Sequence, residues 1–322
     1  MEIFNNDKTY DFMGKKVAFL IISGILIVAS IVLLLTRGLN YGIDFVGGTV
    51  VQVKYEQQAP LEKIREVLKG TVYENSTVTE FGSTDEVTIR FTGSSSDITN
   101  DISDVMNKIL VPTGDFEIRK IDMVGAKVGA ELRTKGIMAL TMALLAMLIY
   151  IAWRFEWRFA VASVIGLIHD VIITLGVISL FKIDVNLDMI AAILTVVGYT
   201  INDTIIVNDR IRESIQITKE RDLDSLINDS VSKTLSRTIL TSLSTLFAVT
   251  TMLLFGGEII YAFSVTLFVG IIVGTYSSIF VVSPFIKFLG FKIDDYRSKE
   301  AQKEASRKEK EKLRSMYEQG RV

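Results

Sequence analysis

The chain has 322 residues, 49% of them hydrophobic and 22% charged, with a formal net charge of -2 and no cysteine. The missing cysteine excludes disulfides and all cysteine-based metal or nucleophile chemistry, and the small net charge says less than the placement of individual lysines and arginines. A chain at once so oily and so charged must keep the two kinds of residue in separate segments.

In chain order, a polar N-terminus, 1–16, is followed by a charge-free run at 17–36. That run is long for the apolar core of a signal peptide and no A-x-A site follows, so it reads as an uncleaved anchor, transmembrane helix 1. Residues 37–135 are polar and long enough for one small globular domain. Further apolar runs occupy 136–153, 159–181, 189–208, 238–257 and 262–286. Each is close to the roughly 20 residues a helix needs to cross the hydrocarbon core, whereas soluble core helices are usually shorter. An amphipathic segment at 210–237 keeps apolar residues at Leu223, Leu226, Ile227, Val231 and Leu235, so helix continues from it into the fifth span. The tail, 290–322, mixes charges with little apolar content, as a solvated helix or a disordered segment does.

Basic residues mark one side of the membrane. Lys15 and Lys16 precede span one, Arg154 and Arg158 separate spans two and three, and Arg210, Arg212, Lys219, Arg221 and Lys233 fill the loop after span four. The intervening loops are nearly free of them, which puts both termini in the cytoplasm and 37–135 outside. Topology accounts for the basic tail, so no nucleic-acid partner is expected.

Within 37–135 the order reads βαββαβ, the ferredoxin-like motif. "GGTVVQVKY" alternates as a strand, and "PLEKIREVLKG" is a helix between proline and glycine. "STVTEFG" and "VTIRFTG" are strands joined by an "STDE" turn; "DITNDISDVMNKIL" is a helix capped by Asp97, and "GDFEIRKIDMVG" a last strand. The glycines of "LNYGIDFVGG" are not a phosphate loop, which needs Gly-Lys-Ser/Thr before a helix. Gly42, Gly47 and Gly48 are expected in tight turns where helix 1 hands over to the domain, with Asp44 bracing the turn.

Polar residues inside the spans are functional suspects, because a carboxylate at the bilayer centre costs roughly 2.5 to 3.5 kcal/mol. In "VVGYTINDTIIVNDRIRES" Asp209 borders the cytoplasm, whereas Asp203 lies seven residues before Arg210, roughly 10 Å inside at 1.5 Å per residue. Thr195, Tyr199 and Asp203 share a face at i, i+4 and i+8, with Gly198 and Asn202 beside it; such a seam faces protein or water. Span three repeats the pattern with Ser163, Gly166, Asp170 and Thr174, and His169 adjacent. Span five adds Arg237, Thr241 and Thr245; Arg237 is either an interfacial anchor or, if the span begins near Lys233, one turn inside and able to reach an aspartate of span four. Gly270, Gly274 and Ser278 form a close-packing face of span six.

"LNYGIDFVGG", "VGAKVGAELRTKG", "WRFEWRFA", "IHDVIITLG" and "GYTINDTIIVNDRIRE", in this order, resemble the signatures of the SecF family, the smaller membrane subunits of the SecD/SecF accessory complex of bacterial protein secretion. That family belongs to the proton-driven RND-type transporters, built as one span, an exported domain and five spans. The resemblance implies a polytopic α-helical protein of the bacterial cytoplasmic membrane, with six transmembrane helices and one α+β ferredoxin-like exported domain between helices 1 and 2. It implies a SecD-type partner supplying a second half, a SecYEG-type channel and an unfolded preprotein as further partners, and the lipid bilayer as solvent. It carries a proton-relay role onto Asp203 and Arg237. Asp170 is added as a relay candidate, with Asn202, Thr195, Tyr199, His169 and Thr241 in support. No cofactor, metal site or enzymatic residue is expected. Burial disfavours an ionised carboxylate while a nearby guanidinium favours it, and these opposed effects make a protonation switch. Half of an RND-type small-molecule exporter shares this physics but generally carries a far larger exported region. An intramembrane aspartyl protease would pair Asp170 with Asp203, yet its Gly-x-Gly-Asp motif is missing.

Overall fold

The computed structural model describes residues 8–91, 102–257 and 260–318. Among them are six helices long and apolar enough to cross a membrane. Helix α1 (Lys16–Thr36) is followed by a two-residue strand β1 (Asn40–Tyr41) and a single turn α2 (Ile43–Val46). The folded domain then runs β2 (Gly48–Tyr55), α3 (Leu61–Leu68), β3 (Thr77–Phe81), β4 (Ser83–Phe91), α4 (Ile102–Leu110) and β5 (Phe116–Val124). Its sheet has the order β3-β4-β2-β5 with every neighbour antiparallel. Each helix thus joins two strands that flank a third, which is the ferredoxin-like arrangement.

Alternation builds this domain. Val51, Val53 and Tyr55 of β2 and Val87, Ile89 and Phe91 of β4 point to one face, where Ile64 and Leu68 of α3 and Ile102, Met106 and Leu110 of α4 cover them. The "STDE" stretch is not the turn: Ser83 to Glu86 belong to β4, where Gln52 donates to Glu86 and Lys54 pairs with Asp85 and Glu86. The reversal falls at Gly82, whose φ of 73° suits glycine. Asp97 lies outside the described residues.

The remaining spans are α5 (Ala126–Arg154), α6 (Trp157–Leu180), α7 (Leu187–Ile217), α8 (Leu223–Phe255) and α9 (Tyr261–Ser277). The last continues through a π-helical stretch, Ser278–Val282, into α10 (Ser283–Phe288). Helix starts at Ala126 rather than 136, and α7 passes 208 by nine residues, because helix continues into water where only the apolar run ends. The amphipathic segment 210–237 is therefore split: its first part ends α7, a short connection spans 218–222, and the rest is continuous with the fifth span in α8. Asp222 caps α8 by accepting from Ser225 N at 2.9 Å. The tail is a helix, α11 (Ile293–Glu318). A strand β6 (Asp184–Val185) between α6 and α7 pairs in parallel with β1.

Candidate functional site

Two sites emerge, one at the joint between the domain and the helices, the other inside the bundle. The glycine motif forms the first. Gly47 and Gly48 have φ of 78° and 134°, values that L side chains rarely adopt. A Cβ on Gly47 would lie 2.6 Å from Ala126 Cα, at the start of α5. Gly42 is required by space: its N–H donates to Val185 O at 3.0 Å, and a Cβ there would fall on the Asn186 side chain. Asp44 does not merely brace its own turn, because its Oδ2 accepts from Leu187 N at 3.1 Å and caps the first turn of α7, 143 residues away. Asp184 of β6 accepts from both Asn40 and Arg90, the latter on β4 of the domain. The motif thus fastens the domain, β1 and the α6–α7 connection together.

The second site is built by helical spacing. On α6, Ser163, Asp170 and Thr174 are buried, and Asp170 is fully enclosed. On α7 the buried polar line is Thr200, Asp203, Thr204 and Asn208, spaced i, i+3, i+4 and i+8. This differs from the expected seam. Thr195, Gly198, Tyr199 and Asn202 are exposed on the chain, and of the predicted face only Asp203 turns inward, with 7% of its surface accessible. The eightfold step from 195 to 203 drifts around the helix, so the first and last members of the line face different neighbours.

Helices α8 and α9 complete the inner site. Asp203 Oδ2 accepts from Ser242 Oγ of α8 at 3.4 Å, and Thr275 of α9 donates to that Ser242 oxygen at 2.7 Å. Asp170 Oδ2 accepts from Ser277 Oγ of α9 at 2.9 Å, while its Oδ1 lies 2.8 Å from His169 Nδ1. The His169 ring stacks on Tyr276, whose hydroxyl donates to Phe19 O of α1 at 2.7 Å. Asn208 donates to Ser163 Oγ at 3.0 Å. Thr275 and Ser277 were absent from the expected set; the consecutive polar residues of "TYSS" in an apolar span were the signal.

The expected Asp203–Arg237 pair is not made. Arg237 is exposed on α8, and no hydrogen bond or ion pair joins the two. The helix presents residues 237 and 242 on different faces, and Ser242 is the one turned to α7. Thr241 is also exposed and returns its hydroxyl to the carbonyls of Arg237 and Thr238. Asp170 and Asp203 bind different hydroxyls and do not form the shared-proton pair that an aspartyl protease uses. No cluster of three His, Asp or Glu groups fit to hold a metal is found among the described residues.

The arrangement sets two carboxylates in a hydroxyl-lined interior, each hydrogen-bonded to a neighbouring helix. Small residues let those helices approach: a Cβ on Gly274 would stand 2.2 Å from Thr200 Oγ1, and one on Gly270 2.3 Å from Val196 Cγ2.

Comparison with known proteins agrees with this architecture. Residues 105–292 match the family "Protein export membrane protein SecD/SecF, C-terminal" and residues 32–59 match the "SecD/SecF GG Motif". The chain is 45% identical to the protein translocase subunit SecF of Helicobacter pylori over 323 residues, covering 100% of both chains. It is 46% identical to that of Calditerrivibrio nitroreducens, covering 88% of this chain and 95% of the relative. The crystal structure of SecDF, a translocon-associated membrane protein from Thermus, superposes with a TM-score of 0.81 at 33% identity, covering 89% of this chain. This chain spans only 39% of that longer one. SecDF in a super-membrane-facing form superposes with a TM-score of 0.63 at 32% identity. A multi-pass membrane protein with this fold, these motifs and these relatives belongs to the SecF family of Sec protein translocase accessory subunits.

Proposed function

We propose that the chain assists protein export across the bacterial cytoplasmic membrane by coupling it to the proton motive force, with Asp203 as the group that takes up and releases the proton. The observation that carries this reading is the position of Asp203: a buried carboxylate on α7 whose contact is a hydroxyl of α8, itself bonded to α9. Protonation removes the charge that this hydroxyl ladder solvates, and three helices then repack around a neutral group. Asp170 on α6, in contact with His169 and with Ser277 of α9, is a second carrier.

A SecD-type partner follows from the exposed polar residues. Thr195, Tyr199, Asn202 and Thr241 stand on the outer surface of α7 and α8, within runs that cross the hydrocarbon, where lipid is a poor neighbour for them. A second half covers them, consistent with a neighbouring structure, SecDF, more than twice as long as this chain. Both termini lie in the cytoplasm, the domain 37–135 lies outside, and a SecYEG-type channel delivers the unfolded preprotein. Asp203→Asn keeps the hydrogen-bonding shape and removes the titration. The variant is expected to assemble with the partner yet lose gradient-dependent export into vesicles; export that persists under an imposed gradient rules Asp203 out.

A further inference from the structure

A cleft of about 890 Å3 opens where the cytoplasmic end of α5 meets α7 and α8. Five basic side chains line it, Arg154, Arg210, Arg212, Lys233 and Arg237, against two carboxylates, Asp209 and Glu213. Both carboxylates are already engaged. Asp209 accepts from Arg154 at 2.7 Å and Arg212 at 3.2 Å, and Glu213 accepts from Arg210 at 2.7 Å. Asp229, outside the wall, pairs with Lys233. Arg237 has no carboxylate within ion-pair distance among the described residues, and Arg210 keeps a buried Nε without a hydrogen-bond partner. The cleft therefore holds surplus positive charge with unspent donors.

One wall is different in kind, for Ile205 and Ile206 line it beside the cations. Arg154 ends an apolar span, so the cleft sits at headgroup depth, its basic part toward water and its isoleucines toward hydrocarbon. A free anion uses only the first part; an amphiphile uses both. We propose that this cleft binds one anionic phospholipid, its phosphodiester held by Arg210, Lys233 and Arg237 and its first methylenes lying on Ile205 and Ile206. Basic pockets between transmembrane helices on this side of a membrane recognise such headgroups, and the planar guanidinium suits phosphate. The bound headgroup would bridge α7 and α8, the two helices whose contact passes through Asp203 and Ser242.

The test uses the full chain in detergent and reads binding by native mass spectrometry, with dioctanoyl phosphatidylglycerol, dioctanoyl phosphatidylcholine and inorganic phosphate as probes. Saturable uptake of one phosphatidylglycerol is expected, with phosphatidylcholine weaker. Arg210→Gln combined with Lys233→Gln should weaken it about tenfold or more, and Arg210→Lys with Lys233→Arg should retain it, which separates lost charge from lost fold. Equal binding of both lipids, or no change in the double glutamine variant, overturns the proposal. Inorganic phosphate binding as tightly as the lipid makes this a free-anion site, and loss of lipid binding on adding a SecD-type partner assigns the cations to partner carboxylates; either outcome also overturns it. Binding in detergent reads neither export nor proton flow, so its failure leaves the proposed function standing.

Discussion

Gly274→Ala inserts one methyl group where α9 crosses α7. The new Cβ would stand 2.2 Å from Thr200 Oγ1, 3.2 Å from its Cβ and 3.4 Å from its Cγ2. Turning Thr200 about χ1 removes the oxygen but not the Cβ contact, so the helices must separate or shift. Overpacking of this kind costs about 1 to 3 kcal/mol. Thr200→Ala alone should cost about 1 kcal/mol, because one buried methyl and one buried hydroxyl are lost. Combined with Gly274→Ala it removes the clash, leaving only the 3.2 Å Cβ approach, so the pair should be more stable than the glycine variant by roughly 1 kcal/mol and show a coupling of that order. Unfolding in mixed micelles with increasing dodecyl sulfate, followed by circular dichroism, measures all four corners of the cycle. A Gly274→Ala protein as stable as wild type, or additive effects in the double variant, would refute close packing at this crossing.

Asp44→Ala leaves the Leu187 amide of α7 uncapped and should cost about 1 kcal/mol, with faster hydrogen exchange confined to the first turn of α7; Asp44→Asn should retain most of it. Burial pushes the Tyr55 phenol above its usual value, against the opposing Thr113 hydrogen bond. A raised folded value favours the neutral form, so this stability is present below the unfolded value of about 10 and is lost as pH rises through the folded one. The ferredoxin-like domain should therefore loosen in strong alkali, and Tyr55→Phe should flatten that slope while forfeiting the Thr113 bond; an unchanged slope excludes Tyr55 as its source. A Tyr41→Cys, Val185→Cys pair occupies matched positions of β1 and β6 in a chain without other cysteines. Paired strands lie close enough for a disulfide, and export should survive its formation, because this joint is fixed; loss on oxidation with recovery on reduction shows that the joint opens.

The six spans and the order of the domain were legible because each rests on local periodicity: long apolar runs for the helices, alternation for β2 and β4. What the residues could not show is which side of a helix meets which neighbour. Thr195, Tyr199 and Asp203 look equivalent on a helical repeat, yet only Asp203 is turned into the bundle. The expected Asp203–Arg237 contact failed for the same reason: the depth of the two residues was readable, but not the rotation of α8 that presents Ser242 instead. Asp44 was read as a local brace because its partner, the Leu187 amide, is distant in sequence and lacks any residue signature. Backbone partners leave no trace in composition.

Helix α7 is held outside the hydrocarbon at both ends. At its start Asp44 caps Leu187, and Gly42 admits Asn186. At its finish Arg297 of α11 donates to Ile215 O at 2.9 Å, Thr218 O at 2.6 Å and Glu220 O at 2.8 Å, binding carbonyls of the last turn and the connection beyond it. Helix α8 is likewise moored at its N-terminal start, where Asp224 accepts Lys16 and Lys287 and Asn228 accepts the amides of Phe12 and Met13. A helix clamped at both ends cannot piston without breaking several hydrogen bonds, each worth about 1 kcal/mol. Rotation or bowing of its middle costs less, and that is where Gly270 and Gly274 bring α9 against Val196 and Thr200. In the proposed cycle a change at Asp203 thus travels along α7 to its first turn. There Asp44 and the Arg90–Asp184 pair fasten the helix to the ferredoxin-like domain, so under the proposed function the proton would act on the domain without α7 moving along its axis.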